Sequence, residues 1–280
     1  MVAILINGKA IARQINNETL VRVEVLKKQG LVIRLAVVLV GDDAASHLYV
    51  RNKKKAALAV GIDFILRKLT FDVSQEIIIE TIKNLQDKEN VTGLIVQLPL
   101  PDPLYTPKVL NAIDPCVDVD CLTDVNLGKL VMKTNIIAPP TPSAVFAILN
   151  NLDFSLPGKK VIIIGVGALV GKPLAIMMMN ARATVTTCNT ATPDLPAICK
   201  AADIIVTGVG KKHILTGDMV KKGAIVIDTG VSFESGKMYG DVDIDSVSSV
   251  AAFVTPTPGG VGPITVAALL RNTVICAENS

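Results

Sequence analysis

A chain of 280 residues has room for two domains of ordinary size, each able to bury a core without a metal or disulfide staple. Half of it is hydrophobic but only 3% is aromatic, so the core has to be built from Val, Ile, Leu and Ala, the make-up of an α/β protein. A net charge of +3 on 28 basic and 25 acidic residues, with six Phe and three Tyr, supplies neither the electrostatic grip nor the stacking platforms that nucleic acid binding requires.

A mean hydropathy of +0.50 raises the question of a membrane span. The longest uncharged stretch, Ser246 to Leu270, contains Pro256, Pro258, Pro263, Gly259, Gly260 and Gly262, which argues against a continuous spanning helix there. The opening MVAILINGKA lacks a basic n-region, a long apolar run and a small-residue cleavage site, so a cytoplasmic location is expected. The five cysteines are odd in number and form no C-x-x-C, and only two histidines are present; neither a disulfide framework nor a zinc cage is expected.

In chain order, residues 9–29 show a helical rhythm closed by Gly30. Leu35–Val40 reads as a strand, Ala44–Val60 as a helix closed by Gly61, and Ile62–Leu69 as a second strand. A helix capped by Ser74 and running to Lys88 follows, then a third strand at Gly93–Val96. This alternation predicts a parallel sheet with right-handed crossovers. The Pro-rich passage Leu98–Pro107 is expected to be a loop at a strand's carboxyl end, where open α/β sheets take their ligands. After a second Pro-rich stretch at Ala138–Pro142, a helix is predicted at Ser143–Leu152 and a strand at Lys160–Ile164. Further strands at Thr184–Thr187, Ile204–Thr207 and Ile225–Asp228, and a closing helix at Ile264–Ala277, complete a second α/β block.

Gly165, Gly167 and Gly171 sit between a strand and a helix, where glycines let backbone amides approach a pyrophosphate at a helix N-terminus. About twenty residues on, Cys188-Asn189-Thr190 offers neither an acid for a ribose hydroxyl nor an Arg for a 2′-phosphate, which leaves NAD and NADP both open. Tyr49 and Lys53 are one helical turn apart, and burial together with neighbouring Lys54 and Lys55 would lower the Lys53 pKa toward the range of proton exchange at neutral pH. Gln97 ends the third strand, where its amide could orient a lysine or hold a heterocycle. Asp118 and Asp120 point the same way if their segment is extended. Pro258, Gly259 and Gly260 lie in a stiff turn whose main chain can pass close to a flat ligand. His47 and His213 are expected to have surface or capping roles.

Taken in order, Gly41–Ser46 with Tyr49-Val50-x-x-Lys53, Val96–Pro101, Asp118–Asp120 and Pro258–Thr265 resemble one family, the bifunctional methylenetetrahydrofolate dehydrogenase/methenyltetrahydrofolate cyclohydrolases. The resemblance covers nearly the whole chain. It implies a two-domain α/β fold with a cleft between the domains. Residues 1–138, completed by a C-terminal helix at 262–280, would bind folate; residues 139–261 would be a Rossmann-like NAD(P)-binding domain. It implies NADP as cofactor with NAD possible, tetrahydrofolate substrates, no metal, and a homodimer. Lys53 would be the central catalytic group, assisted by Tyr49, Gln97 and Asp120. Leu98, Pro99, Pro258, Gly259 and Gly260 would join Tyr49, Gln97 and Asp120 in contacting the substrate. Gly165, Val166, Gly167, Thr190 and Val231 would line the cofactor. The chain departs from the family pattern at Val166-Gly167, at Asn189-Thr190, at Cys121 where a Gly is usual, and at Pro140 and Ser143. Two other readings stay open: an inactive nucleotide- or folate-binding homologue, and another NAD(P)-dependent dehydrogenase using Tyr49 and Lys53. A short-chain dehydrogenase would carry its glycine loop ahead of the Tyr-Lys pair, the reverse of the order here.

Overall fold

The computed structural model describes residues 2–234 and 236–279. In chain order its elements are β1 (Ile4–Leu5), α1 (Gly8–Lys28), β2 (Arg34–Val40), α2 (Ala44–Ala59), β3 (Asp63–Leu69), α3 (Gln75–Lys88), β4 (Gly93–Val96), α4 (Pro107–Leu110) and α5 (Asp124–Val131). Then come α6 (Pro140–Asn151), β5 (Lys160–Ile164), α7 (Gly171–Asn180), β6 (Thr184–Cys188), α8 (Leu195–Cys199), β7 (Ile204–Thr207) and β8 (Ile225–Asp228). A hairpin of β9 (Ser232–Glu234) and β10 (Lys237–Tyr239), α9 (Ile244–Ser248), β11 (Phe253–Val254) and α10 (Val261–Glu278) complete the chain.

The chain divides into two units: Arg13–Pro140 with the residues from Val266 onward, and Thr141–Thr265 with the described residues up to Ala12. In the first of these, β3, β2 and β4 form a parallel sheet with β2 at its centre. The period-2 alternation of β2 divides its side chains between two cores. Leu35, Val37 and Leu39 pack with Val50 and Ala57 of α2, Val23 and Leu26 of α1, and Leu269, Leu270 and Val274 of α10. Ala36, Val38 and Val40 pack with Ile78, Ile82 and Leu85 of α3 on the opposite face. Helix α10 is long and apolar enough by length and composition to cross a membrane, yet its residues Leu269, Leu270 and Val274 lie in this core.

Asn272 of α10 closes the unit on itself. It is 2% exposed, and its Nδ2 donates to Val119 O at 2.9 Å and Ala138 O at 2.8 Å. Asn272→Ala leaves both carbonyls without this donor and is expected to lower the unfolding free energy by about 2–3 kcal/mol, read from the urea midpoint.

The other unit is a six-stranded sheet in the order β1-β11-β8-β7-β5-β6, every pair parallel. Strands β7 and β8 are buried along their whole length, as an apolar run covered on both faces must be. The described residues up to Ala12 join this unit. The reason is local: Ile4 and Leu5 pair with Phe253 and Val254 as an edge strand.

The expected major helices and strands form, with bounds shifted by a few residues. The helix expected from Ser143 begins at Pro140 and the last helix begins at Val261, because prolines in a first turn give up amides that would have no intrahelical partner. The Pro-rich passage from Leu98 is a loop that ends in the single turn α4, capped by Thr106.

Candidate active site

The motif Gly41–Ser46 sets the start of α2: Asp43 accepts from Ser46 N at 2.7 Å as the N-cap. Tyr49 and Lys53 then fall on one flank of the helix, beside its buried stripe of Ser46, Val50 and Ala57. From β4, the chain leads directly into Gln97, whose backbone N–H still bonds Val38 O at 2.8 Å and whose side chain is buried. Lys53 Nζ donates to Gln97 Oε1 at 3.0 Å, and Gln97 Nε2 donates to Leu98 O at 2.7 Å. That second bond decides which end of the amide faces the amine. With the NH2 committed to a carbonyl, only the oxygen is left for Lys53.

The third member is Asp120. Burial pushes the Lys53 pKa down, and the negative charge of Asp120 opposes the shift. Burial pushes the Asp120 pKa up, opposed by the charge of Lys53. Tyr49, half-buried one turn before Lys53, has its phenol pKa raised by burial. An amine destabilised as a cation, held by a neutral acceptor and close to a carboxyl group, is suited to take up and release a proton.

Asp118 and Asp120 do not act alike. Asp118 is wholly buried and accepts from Leu122 N, Thr123 N, Thr123 Oγ1 and Asn126 Nδ2 at 2.7–3.1 Å, organising the turn before α5. Their shared direction would need an extended segment, and the chain instead turns as Cys121 N returns to Asp118 O at 3.0 Å. Cys121 has φ of +58°, a left-handed conformation that costs a residue with a Cβ about 1–2 kcal/mol. The turn is therefore kept with a thiol in place of the family's Gly. That thiol is fully buried and its pKa is pushed up to about 12 by burial, so it is not a thiolate at neutral pH.

In the other unit the glycine loop follows β5 directly. Gly165 has φ of +102°, and a Cβ there would lie 2.6 Å from Gly208 O. A Cβ on Gly171 would overlap Gly165 O. Gly167 is different, since no protein atom lies within 4 Å of where its Cβ would stand. The fold demands the first and last glycine, and the middle one leaves open space over exposed backbone, which fits a dinucleotide lying against the loop. Gly165 N donates to Cys188 O at 2.9 Å, which places Asn189 and Thr190 on the same strand edge. Asn189 forms an Asx turn, accepting from Ala191 N at 2.8 Å, and Thr190 is exposed. Val231, also exposed, follows the end of β8. In the turn before α10, Pro258 is exposed and Gly260 is buried, its N–H donating to Pro256 O at 2.9 Å. Leu98 is half-buried and Pro99 exposed in the loop after Gln97.

Sequence reading overlooked two buried carboxylates, Asp228 and Asp241. Their signal was present: Asp228 ends a strand at the sheet's carboxyl edge, and Asp241-Val242-Asp243 repeats the D-V-D pattern of residues 118–120.

Two family models match the chain: the catalytic domain of tetrahydrofolate dehydrogenase/cyclohydrolase over residues 6–120, and the NAD(P)-binding domain of the same family over residues 139–280. The chain belongs to the tetrahydrofolate dehydrogenase/cyclohydrolase family. Among relatives in it, the bifunctional protein FolD of Nautilia profundicola is 43% identical over 276 residues, spanning 98% of this chain and 97% of that protein. The crystal structure of the bifunctional FolD methylenetetrahydrofolate dehydrogenase/cyclohydrolase of Campylobacter jejuni superimposes with a TM-score of 0.96 at 40% identity, covering 99% of both chains. The Trypanosoma brucei FolD, solved with NADP and an inhibitor, gives a TM-score of 0.96 at 36% identity over 100% of this chain and 98% of that one.

Proposed function

We propose that this protein oxidises 5,10-methylenetetrahydrofolate to 5,10-methenyltetrahydrofolate with a nicotinamide cofactor and then hydrolyses the product to 10-formyltetrahydrofolate, a two-step interconversion in one-carbon metabolism. The observation that carries this reading is the hydrogen bond from Lys53 to Gln97 with Asp120 beside it, built on the motifs that define the family. Bound nicotinamide supplies the hydride acceptor. The first step then asks the protein for alignment more than for acid or base, because the two flanking folate nitrogens stabilise the cation that forms.

Hydrolysis needs proton management. Water attacks the bridge carbon and gives up both its protons, one as the C–O bond forms and one as the carbonyl closes; a ring nitrogen takes up one proton as its bond to carbon breaks, and the other is released to solvent. Lys53, whose ammonium form burial disfavours, receives the first proton as the free amine and can return it to the departing nitrogen. A charged ammonium would repel the cationic substrate, so the depressed pKa and the uncharged Gln97 both serve this step. Asp120 hydrogen-bonds the pterin, Tyr49 packs on it, and Leu98, Pro99, Pro258, Gly259 and Gly260 complete the substrate contacts. The cofactor is held by Gly165, Val166, Gly167, Thr190 and Val231. We assign NADP with NAD also used, and a cytoplasmic homodimer as the working form.

Residues 165–171 and 188–190 carry no Lys or Arg to meet a 2′-phosphate. A charge-assisted bond to such a phosphate contributes about 1.5–3 kcal/mol, more than tenfold in selectivity. Measured with methylenetetrahydrofolate, kcat/KM for NADP and NAD are therefore expected to lie within about tenfold of one another. A preference of a thousandfold for NADP would require a cation elsewhere to read the phosphate. Reduction of neither cofactor would favour a binding protein without turnover.

A further inference from the structure

The scheme above gives Asp228 and Asp241 nothing to do, although both are buried in the nucleotide-binding unit, 3% and 0% exposed. Asp241 Oδ2 accepts from Val209 N at 2.7 Å and its Oδ1 from Lys211 N at 2.8 Å, while the Gly210 amide also bonds this carboxylate. Three successive amides converging on one carboxylate make an anion nest, formed here by the loop that leaves β7. Asp228 binds Thr207 Oγ1 and Gly230 N, each at 2.9 Å, and Val242 N at 3.1 Å. The two carboxylates thus clamp the loops leaving β7 and β8 to the segment at residues 241–242. A Cβ on Gly230 would overlap the Asp241 carboxyl group, so the absent side chain there makes room for the clamp. Among the described residues, neither Asp is ion-paired with a Lys, Arg or His.

The clamped loop touches the residues assigned to the cofactor. Gly208 O backs onto Gly165, and Val231 O lies 3.3 Å from where a Cβ of Gly210 would stand. We propose that Asp241 is a positioning residue for the nicotinamide cofactor, holding Val209–Lys211 in the shape against which the dinucleotide lies; this rests on the reading that the unit binds NAD(P). Only a carboxylate can accept on both oxygens. The isosteric amide of Asp241→Asn would point its NH2 at a main-chain N–H and push the loop out of shape.

The test uses the whole protein and its two activities. In Asp241→Asn, KM for NADP and for NAD is expected to rise roughly tenfold or more, with dehydrogenase kcat at saturating cofactor within about threefold of the unaltered protein. Hydrolysis of methenyltetrahydrofolate, which consumes no nicotinamide, is expected to stay within about twofold. Gly210→Ala strains the same loop at φ of +73° while leaving the carboxylate intact, and should raise cofactor KM likewise; it decides the matter if the Asp241 variant does not fold. Cofactor KM unchanged in a folded variant, or both activities falling in parallel with the melting temperature, would overturn the proposal. Failure of the unaltered protein to reduce either nicotinamide overturns the cofactor reading itself, and is seen before any variant is made.

Discussion

Lys53→Met is expected to lower the rate of methenyltetrahydrofolate hydrolysis by about 10²- to 10⁴-fold, the usual contribution of a positioned acid–base group. Methionine keeps the length and apolar bulk of the stem and removes the amine. The fold should survive, because the change deletes a half-buried amine whose charged form burial disfavours and not a packing contact. The freed Gln97 oxygen costs about 1 kcal/mol at most if water reaches it. Circular dichroism and a thermal melt establish folding, and the decay of methenyl absorbance gives the rate. Hydrolysis at the unaltered rate in a folded variant would remove Lys53 from the mechanism. The oxidation step should suffer less, since it needs alignment and no proton transfer.

The same amine sets the pH dependence. Burial lowers the Lys53 pKa, and the working species is the neutral amine, so the hydrolysis rate should fall as pH drops through that lowered pKa. The acidic limb should vanish from the residual rate of the Met variant. Asp120 moves the other way: burial favours its protonated form, and the charge of Lys53 opposes this, so the two groups titrate as a pair.

Much of this was legible in the sequence because the apolar runs are long and the punctuation is strong. β4, β5, β7 and β8 take the predicted bounds, since three or four buried aliphatic residues in a row between turn signals leave a strand few alternatives. Two-residue strands such as β1 and β11 carry no periodicity; they exist only because the sheet's edge offers hydrogen bonds, a tertiary fact. The pair of Tyr49 and Lys53 was visible as helical spacing, and Gln97 as a polar residue ending an apolar strand. What local sequence could not give was the meeting of Lys53 with Gln97, 44 positions apart. Nor could it separate the roles of Asp118 and Asp120, because alternation assumes an extended chain and a turn closed by Cys121 intervenes. The same limit hid Asp241, whose partners lie about thirty residues earlier.

Two of the glycines in the cofactor loop should fail in opposite ways when replaced by alanine. Gly171→Ala puts a methyl group into Gly165 O and within 2.9 Å of Val166 Cα. Both obstacles are backbone, so the loop must move away from the start of α7, and displacement of about 1 Å at a reacting centre can cost on the order of 10²-fold. Dehydrogenase kcat/KM should fall by about that factor or more, with a lowered melting temperature. Lys53, Gln97 and Asp120 belong to the other unit and should retain methenyl hydrolysis. Gly167→Ala meets no protein atom, so stability should change by no more than about 0.5 kcal/mol. Its methyl group instead occupies the space that the dinucleotide is assigned, and cofactor KM should rise while the melt stays unchanged. If Gly167→Ala bound NADP and NAD as well as the unaltered protein, the open face of this loop would not be where the cofactor lies, and the assignment of Gly165, Val166 and Gly167 would fall with it.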